Sequence, residues 1–477
     1  IINIEANNNS FEYVEDAMEL ISDDLPEGLS VSLSITGTQG NVLTGNLSGT
    51  YSAATYRISG DLTIAEDDTV YLNAGTEFLF DGEYDFNIYG TLKAIGTESD
   101  SIIFDNFGND RWSGFTLDNA SDETEFQYVR ISGAEKDYGG GMYLYASNPI
   151  LTHVTISNNT SGNQGGGMFL WGSNPILTNV TISNNTAETD GGGMYLTSSN
   201  PTLTHVTISG NTAFAGGGMF LGSSNPTLSH VTITNNTADY GGGMYLYYSY
   251  PTLTHVTISG NTSDYYGGMY LYASNPILTH VTISNNTSGN QGGGMFLWGS
   301  NPILTNVTIS NNTAETDGGG MYLTSSNPTL THVTISGNTA FAGGGMFLGS
   351  SNPTLSHVTI TNNTADYGGG MSLNSSHPTL TNSIIWSNSP ESIYLLLATP
   401  LITFSDIEGG WEGEGNIDIN PLFTDPENGD YTLQEGSPCI DAGTADIDGD
   451  GVDDITDFIG SAPDMGAFEF GESSEIM

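Results

Sequence analysis

The sequence predicts an all-β chain folded as a parallel β-helix, a stack of coils with three short strands in each. Three observations predict it. From Gly139 to Thr381 one phrase recurs ten times, first as GGGMYLYASNPILTHVTISNNTSGNQ and then, from Gly165, as GGGMFLWGSNPILTNVTISNNTAETD. Its landmark methionines (Met142, Met168, Met194, Met219, Met244, Met269, Met295, Met321, Met346 and Met371) stand 25 or 26 residues apart, a fixed period typical of stacked repeats. Second, the apolar residues alternate in steps of two, with one break per coil. Third, the density of Thr, Val and Ile, with glycines in every coil, excludes a helical repeat.

The alternation fixes the side-chain parity. Met142 and Leu144 are two apart and point inward, so Tyr143 points out. Leu151 points in, while Ile150 and Thr152 point out. Val154 and Ile156 are also inward, an odd step of three from Leu151, so a corner falls at Thr152-His153. The corner position is His at 153, 205, 230, 255, 280, 332 and 357 and Asn at 179, 306 and 382. Both residues tolerate a left-handed backbone, and the exchange between them favours backbone geometry over a metal or pH site. The second Asn of NNT or GNT (Asn159, Asn185, Asn211 and onward) reads as a stacked amide ladder at another corner.

A larger repeat lies over the coils. Gly140–Met244 recurs without a difference at Gly267–Met371, a shift of 127 residues or five coils. Such a tandem duplication is tolerable where lengthening the stack does not disrupt a unique site.

Composition narrows the partners. The 477 residues carry a net charge of -49, and the single cysteine, Cys439, excludes an intrachain disulfide framework. All five basic residues (Arg57, Lys93, Arg111, Arg130, Lys136) precede residue 137, and only seven acids lie between Met142 and Met371. The shaft is nearly neutral between acidic ends, which argues against nucleic acid and anionic lipid as partners. No apolar run is long enough for a membrane-spanning helix. The chain opens Ile-Ile-Asn without a signal peptide and reads as a mature or excised piece of a longer product.

In chain order, residues 1–45 form an N-terminal cap region, in which Phe11, Val14, Met18 and Ile21 recur at helical intervals. Residues 46–138 are irregular opening coils, 139–381 the ten repeats, and 382–477 the C-terminal coils and a cap. The stack is thus expected to be capped at both ends.

The phrases NAGTEFLF and GTLKAIGT precede the array, and NPLFTDPENGDYTLQEGSPCIDAG and DMGAFEF follow it. With these, the chain resembles bacterial secreted right-handed β-helix proteins of the pectate-lyase-like superfamily. GGGMYL followed by ISNNTA is similar to the paired repeats of polymorphic outer-membrane protein passenger domains, with Gly where those have Ala and Ile where they have Phe. The resemblance implies a right-handed single-stranded coil and an extracellular or cell-surface location in a bacterium. An anchor or sorting domain often follows in such proteins.

Enzymes on this fold use Lys or Arg as base with carboxylates holding calcium, or clustered Asp. The repeats have neither, so catalytic residues are not expected there, and a polysaccharide lyase or hydrolase is confined to the opening coils. In DIDGDGVDDITD, Asp446, Asp448, Asp450, Val452, Asp454 and Asp457 take the spacing of a twelve-residue calcium loop, with Gly451 at the sharp turn and Asp rather than Glu at the last position. A structural Ca²⁺ is the cofactor this implies. The outward column Tyr143, Phe169, Tyr195, Phe220, Tyr245, Tyr270, Phe296, Tyr322 and Phe347, with Trp171 and Trp298 beside it, reads as an aromatic stripe. A glycan, a cell-surface protein or another copy of the chain is the partner such a stripe suits. The expected function is a non-enzymatic stalk or adhesin-like surface protein. A carbohydrate-active enzyme is the first alternative, and ice binding through the outward Thr155/Ser157-type columns the second.

Overall fold

The computed structural model describes residues 41–447 and 451–471. The helix expected within 1–25 lies outside the described residues, as do Asp448 and Asp450. Every coil runs through three faces, each a sheet of parallel strands paired with the coils before and after. On the methionine face Met142–Tyr145 pairs with Met168–Trp171, on the leucine face Ile150–Thr152 pairs with Ile176–Thr178, and on the isoleucine face Thr155–Ser157 pairs with Thr181–Ser183. The register is constant, so each side chain meets its own counterpart one coil on. A short fourth strand appears in part of the array, where Thr160–Gln164 pairs with Glu135–Tyr138 and Thr186–Ala187. No described helix is long and apolar enough to cross a membrane.

The predicted parity holds. Met142, Leu144, Leu151, Val154 and Ile156, with their copies, form one continuous buried core. In the opening coils that core is aromatic, with Phe78, Phe80, Phe86, Phe104, Trp112, Phe115 and Phe126 fully buried and packed edge to face or stacked. The corner between the leucine and isoleucine faces is left-handed at His153 (φ 54°), Asn179 (53°) and His205 (54°), a backbone that suits the His and Asn filling it in the ten repeats; Tyr128 (50°) and Phe404 (46°) take the same corner in the flanking coils.

Two polar ladders hold the other bends. The side-chain Oδ1 of Asn261 accepts both the backbone N–H (2.9 Å) and the Nδ2–H (3.0 Å) of Asn236. Asn261 Nδ2 donates to the Ile233 carbonyl (3.0 Å) and to Asn286 Oδ1 (3.0 Å). This repeats from Asn159 to Asn388. A serine ladder missed in the sequence does the same after the methionine face: Ser147 N–H donates to Ser173 Oγ at 3.0 Å, and Ser147 Oγ to the Tyr145 carbonyl at 2.8 Å. The glycine triplet has a steric cause. Gly165 is left-handed (φ 71°), and a Cβ on Gly166 would stand 2.4 Å from the Gly192 carbonyl oxygen, so successive coils meet there backbone to backbone.

The C-terminal segment does not lie only across the end of the stack; it folds back along the isoleucine face. Phe423, Tyr431, Leu433, Cys439 and Met465 form a second core with Ile384. Beneath the segment the outward residues Thr334, Ser336, Thr359 and Thr361 become buried. The Thr/Ser face is therefore available only on the earlier coils.

Candidate functional site

The position-143 column is a ladder of rings. Tyr143, Phe169, Tyr195 and Phe220 stack at centroid separations of 5.2, 5.0 and 5.1 Å, and Phe296, Tyr322 and Phe347 at 4.9 Å. The ladder is not a freely exposed stripe. Phe169, Tyr270 and Phe296 are buried, because residues of the fourth arm fold over them. Tyr138 packs edge-on against Phe169, and Tyr266 lies 3.8 Å from Phe296. Burial also pushes the Tyr245 hydroxyl up to about 12 and raises that of Tyr270. Such rings act chiefly in holding coils together.

The accessible aromatics lie two residues further on. Tyr145, Trp171, Tyr247 and Trp298 are exposed, the tryptophans by 51% and 49%. They form two clusters. Tyr145 meets Trp171 at 5.4 Å, while Tyr247, Tyr272 and Trp298 follow one another at 5.3 and 5.6 Å. Between the clusters the row passes through Thr197 and Gly222. Tyr248 and Tyr250 enlarge the second cluster, since Tyr248 packs against Tyr247 at 4.5 Å and Tyr250 is exposed. Sequence reading missed this pair. The available signal was their departure from the Ala, Gly, Ser and Asn of the other coils.

The opening coils carry a second feature, an open polar groove of about 870 Å³ lined by Glu83, Tyr84, Asp110, Arg111, Glu135, Lys136 and Asp137. Its cations are engaged with the protein. Lys136 Nζ lies 2.7 Å from Asp85 Oδ1 and 2.6 Å from Thr116 Oγ1, and Arg111 faces Glu135 at 3.5 Å. Arg57 pairs with Asp81 and Lys93 with Glu125.

Of the calcium-type loop, Asp446, Val452, Asp454 and Asp457 fall in described residues. Asp446 Oδ2 accepts the Gly451 N–H at 2.8 Å, and Asp454 Oδ2 accepts the Ile447 N–H at 2.9 Å. Val452 is exposed. The described residues include no group of three side chains placed to hold a metal. The two carboxylates turned inward across the loop are the donor type a hard cation takes.

Two buried titratable groups sit under the C-terminal segment. Burial pushes Asp406 up to about 6, and its Oδ2 accepts the Cys439 thiol at 3.2 Å. Burial and then the neighbouring His332 push His357 down to about 3.

Comparison with known proteins agrees with this architecture. No curated protein matches the sequence. Among solved structures the chain is similar to pectate lyase Pel9A, at 14% identity over 83% of this chain and 88% of that one, with a TM-score of 0.29. It is similar to the A-module of the Azotobacter vinelandii mannuronan C-5 epimerase AlgE6, at 13% identity over 77% and 90%, with a TM-score of 0.33. It is also similar to the PL6 family alginate lyase AlyGC, at 13% identity over 73% of this chain and 51% of that one, with a TM-score of 0.34. Similarity this distant carries no argument about chemistry. The family model for the right-handed beta helix region matches residues 94–262, 178–314 and 252–406. With its register-locked faces and its ladders at the bends, this chain belongs to the right-handed beta helix region family.

Proposed function

We propose that the chain is a non-enzymatic shaft of a bacterial extracellular or cell-surface protein, and that its exposed aromatic row binds neutral glycan. The observation that carries this is the clustering of Tyr145 with Trp171 and of Tyr247, Tyr272 and Trp298 on the edge of a face without Lys or Arg. Exposed aromatic rings grip the apolar faces of pyranose sugars, and a neutral surface neither attracts nor repels an uncharged chain. The test is affinity electrophoresis through neutral and acidic polysaccharides. Retardation by a neutral glycan, reduced roughly tenfold or more by Trp171→Ala with Trp298→Ala, supports the proposal. Unchanged migration in every polysaccharide removes it.

The groove on the opening coils favours a second reading, a carbohydrate-active enzyme. Its lysine and arginine already neutralise carboxylates of the protein, which leaves them poorly placed to meet a charged sugar. Release of reducing ends or unsaturated uronates from any polysaccharide would establish that reading over the first.

A structural Ca²⁺ held by Asp446, Asp454 and Asp457, together with Asp448, Asp450 and the Val452 carbonyl, accords with the loop's donor set. The expected result is a lower melting temperature in chelator, absent in Asp454→Ala. Equal melting with and without chelator removes the metal.

A further inference from the structure

The C-terminal segment docks across three coils, and the first two of them occur twice in this chain. Those two coils of the docking face are Thr329–Ser336 and Thr354–Thr361. The Ala467 N–H donates to Thr359 Oγ1 at 3.0 Å, the Ala467 carbonyl lies 3.3 Å from His332 Nδ1, and Asn362 Nδ2 donates to the Tyr431 hydroxyl at 3.3 Å. The face 127 residues upstream carries the same residues: His205, Thr207, Ser209, His230, Thr232, Thr234 and Asn235 stand for His332, Thr334, Ser336, His357, Thr359, Thr361 and Asn362.

The two faces agree in geometry as well as in sequence. His205 and His230 stack at 4.9 Å, His332 and His357 at 4.8 Å. Ser229 Oγ lies 2.9 Å from His230 Nδ1, as Ser356 Oγ does from His357 Nδ1. The corner φ angles are 54° and 55° upstream against 52° and 53° downstream. Upstream, His205, His230 and Asn235 are exposed and Thr232 and Thr234 half-buried, where Thr359 and Thr361 are covered.

We propose that this upstream face is a docking surface for the C-terminal segment of a second copy of the chain. The complementarity is already realised inside one molecule, so the occupant follows from the existing contact. The match ends at the third coil, which also ranks the two sites. Downstream, Asn382, Ile384 and Trp386 hold the segment, whereas upstream the same positions are His255, Thr257 and Ser259. The segment therefore prefers its own chain, and exchange between molecules emerges with concentration. A contact between different patches on the two copies need not close on itself, so it builds open chains as readily as dimers.

The test is sedimentation velocity of the full chain across a wide concentration range. Wild type is expected to gain mass with concentration, and Thr232→Arg to remain monomeric at every concentration. Thr359→Arg, which loosens the segment from its own face, is expected to strengthen association by roughly tenfold. Asn382→Ser provides the same loosening should the arginine variant not fold. Monomers throughout for wild type and both loosened variants, or association that Thr232→Arg leaves intact, would overturn the proposal.

Discussion

Replacing Asn261 by Leu is expected to destabilise the shaft by roughly 4 kcal/mol, since three buried polar groups lose their partners at about 1–3 kcal/mol each. The groups are the backbone N–H and one Nδ2–H of Asn236, both bound to Asn261 Oδ1, and the Ile233 carbonyl, bound to Asn261 Nδ2. Leucine matches the volume but offers no acceptor to the coil before it. The break also falls within a ladder in which each amide binds the next, so it separates two runs of coils that unfold by nearest-neighbour coupling. The measurement is the urea midpoint of Asn261→Leu against Asn235→Ala. The latter alters the exposed asparagine beside Asn236, one coil earlier, and is expected to lose about 1 kcal/mol, for a left-handed residue replaced by alanine. Equal losses in the two variants would show the buried ladder to be dispensable.

Acid is expected to loosen the C-terminal segment, with Asp406 setting where that begins. His357 Nε2 accepts from Asn382 Nδ2 at 3.0 Å, and Asn382 exchanges two bonds of 2.8 Å with the backbone of Thr444. A proton on Nε2 would face an N–H and break this chain of contacts. With His357 pushed down to about 3, against about 6.5 when undocked, the undocked state takes the proton first. The stability it contributes is present above pH 6.5 and lost as pH falls towards 3, roughly 5 kcal/mol in all.

Asp406 acts with the opposite sign. Pushed up to about 6, against about 4 when undocked, it contributes stability below pH 4 that is lost as pH rises through 6. That amounts to roughly 3 kcal/mol. Between pH 4 and 6 the two protons offset each other, so wild-type docking is expected to stay level there and weaken only below pH 4. Asp406→Asn removes the offset, and undocking should then begin near pH 6. Hydrogen-exchange protection of the Gly466 and Ala467 amides, which bond to the Asn382 carbonyl and Thr359 Oγ1, reads this directly. The same pH dependence in both proteins would remove the His357–Asp406 coupling.

The repeat made much of the fold legible. The odd step of three between the inward residues Leu151 and Val154 required a corner at His153, and the His/Asn exchange named its backbone conformation. The asparagine ladder was legible because a buried amide can satisfy itself by stacking on its own copy. The serine ladder and the crowding of the glycine triplet were less so. Ser and Gly are equally at home in a solvated turn, and only the distance between neighbouring coils shows that they are not in one. For the candidate site, period alone marked position 143 as outward, yet outward of the tube is not the same as open to solvent.

By itself the sequence determined what depends on neighbours one coil apart: the stack, its register, its inward residues and its bends. In a structure that grows in one dimension, each coil meets its own copy, and those contacts are written in the period. Tertiary structure alone decided what depends on residues that change from coil to coil or lie far apart in the chain. The fourth arm closes over Phe169 and Phe296 while Trp171 and Trp298 stay open. The C-terminal segment returns along the isoleucine face, covering one copy of a duplicated surface and leaving its twin exposed. No period encodes those contacts, because the side chains that make them do not recur from coil to coil.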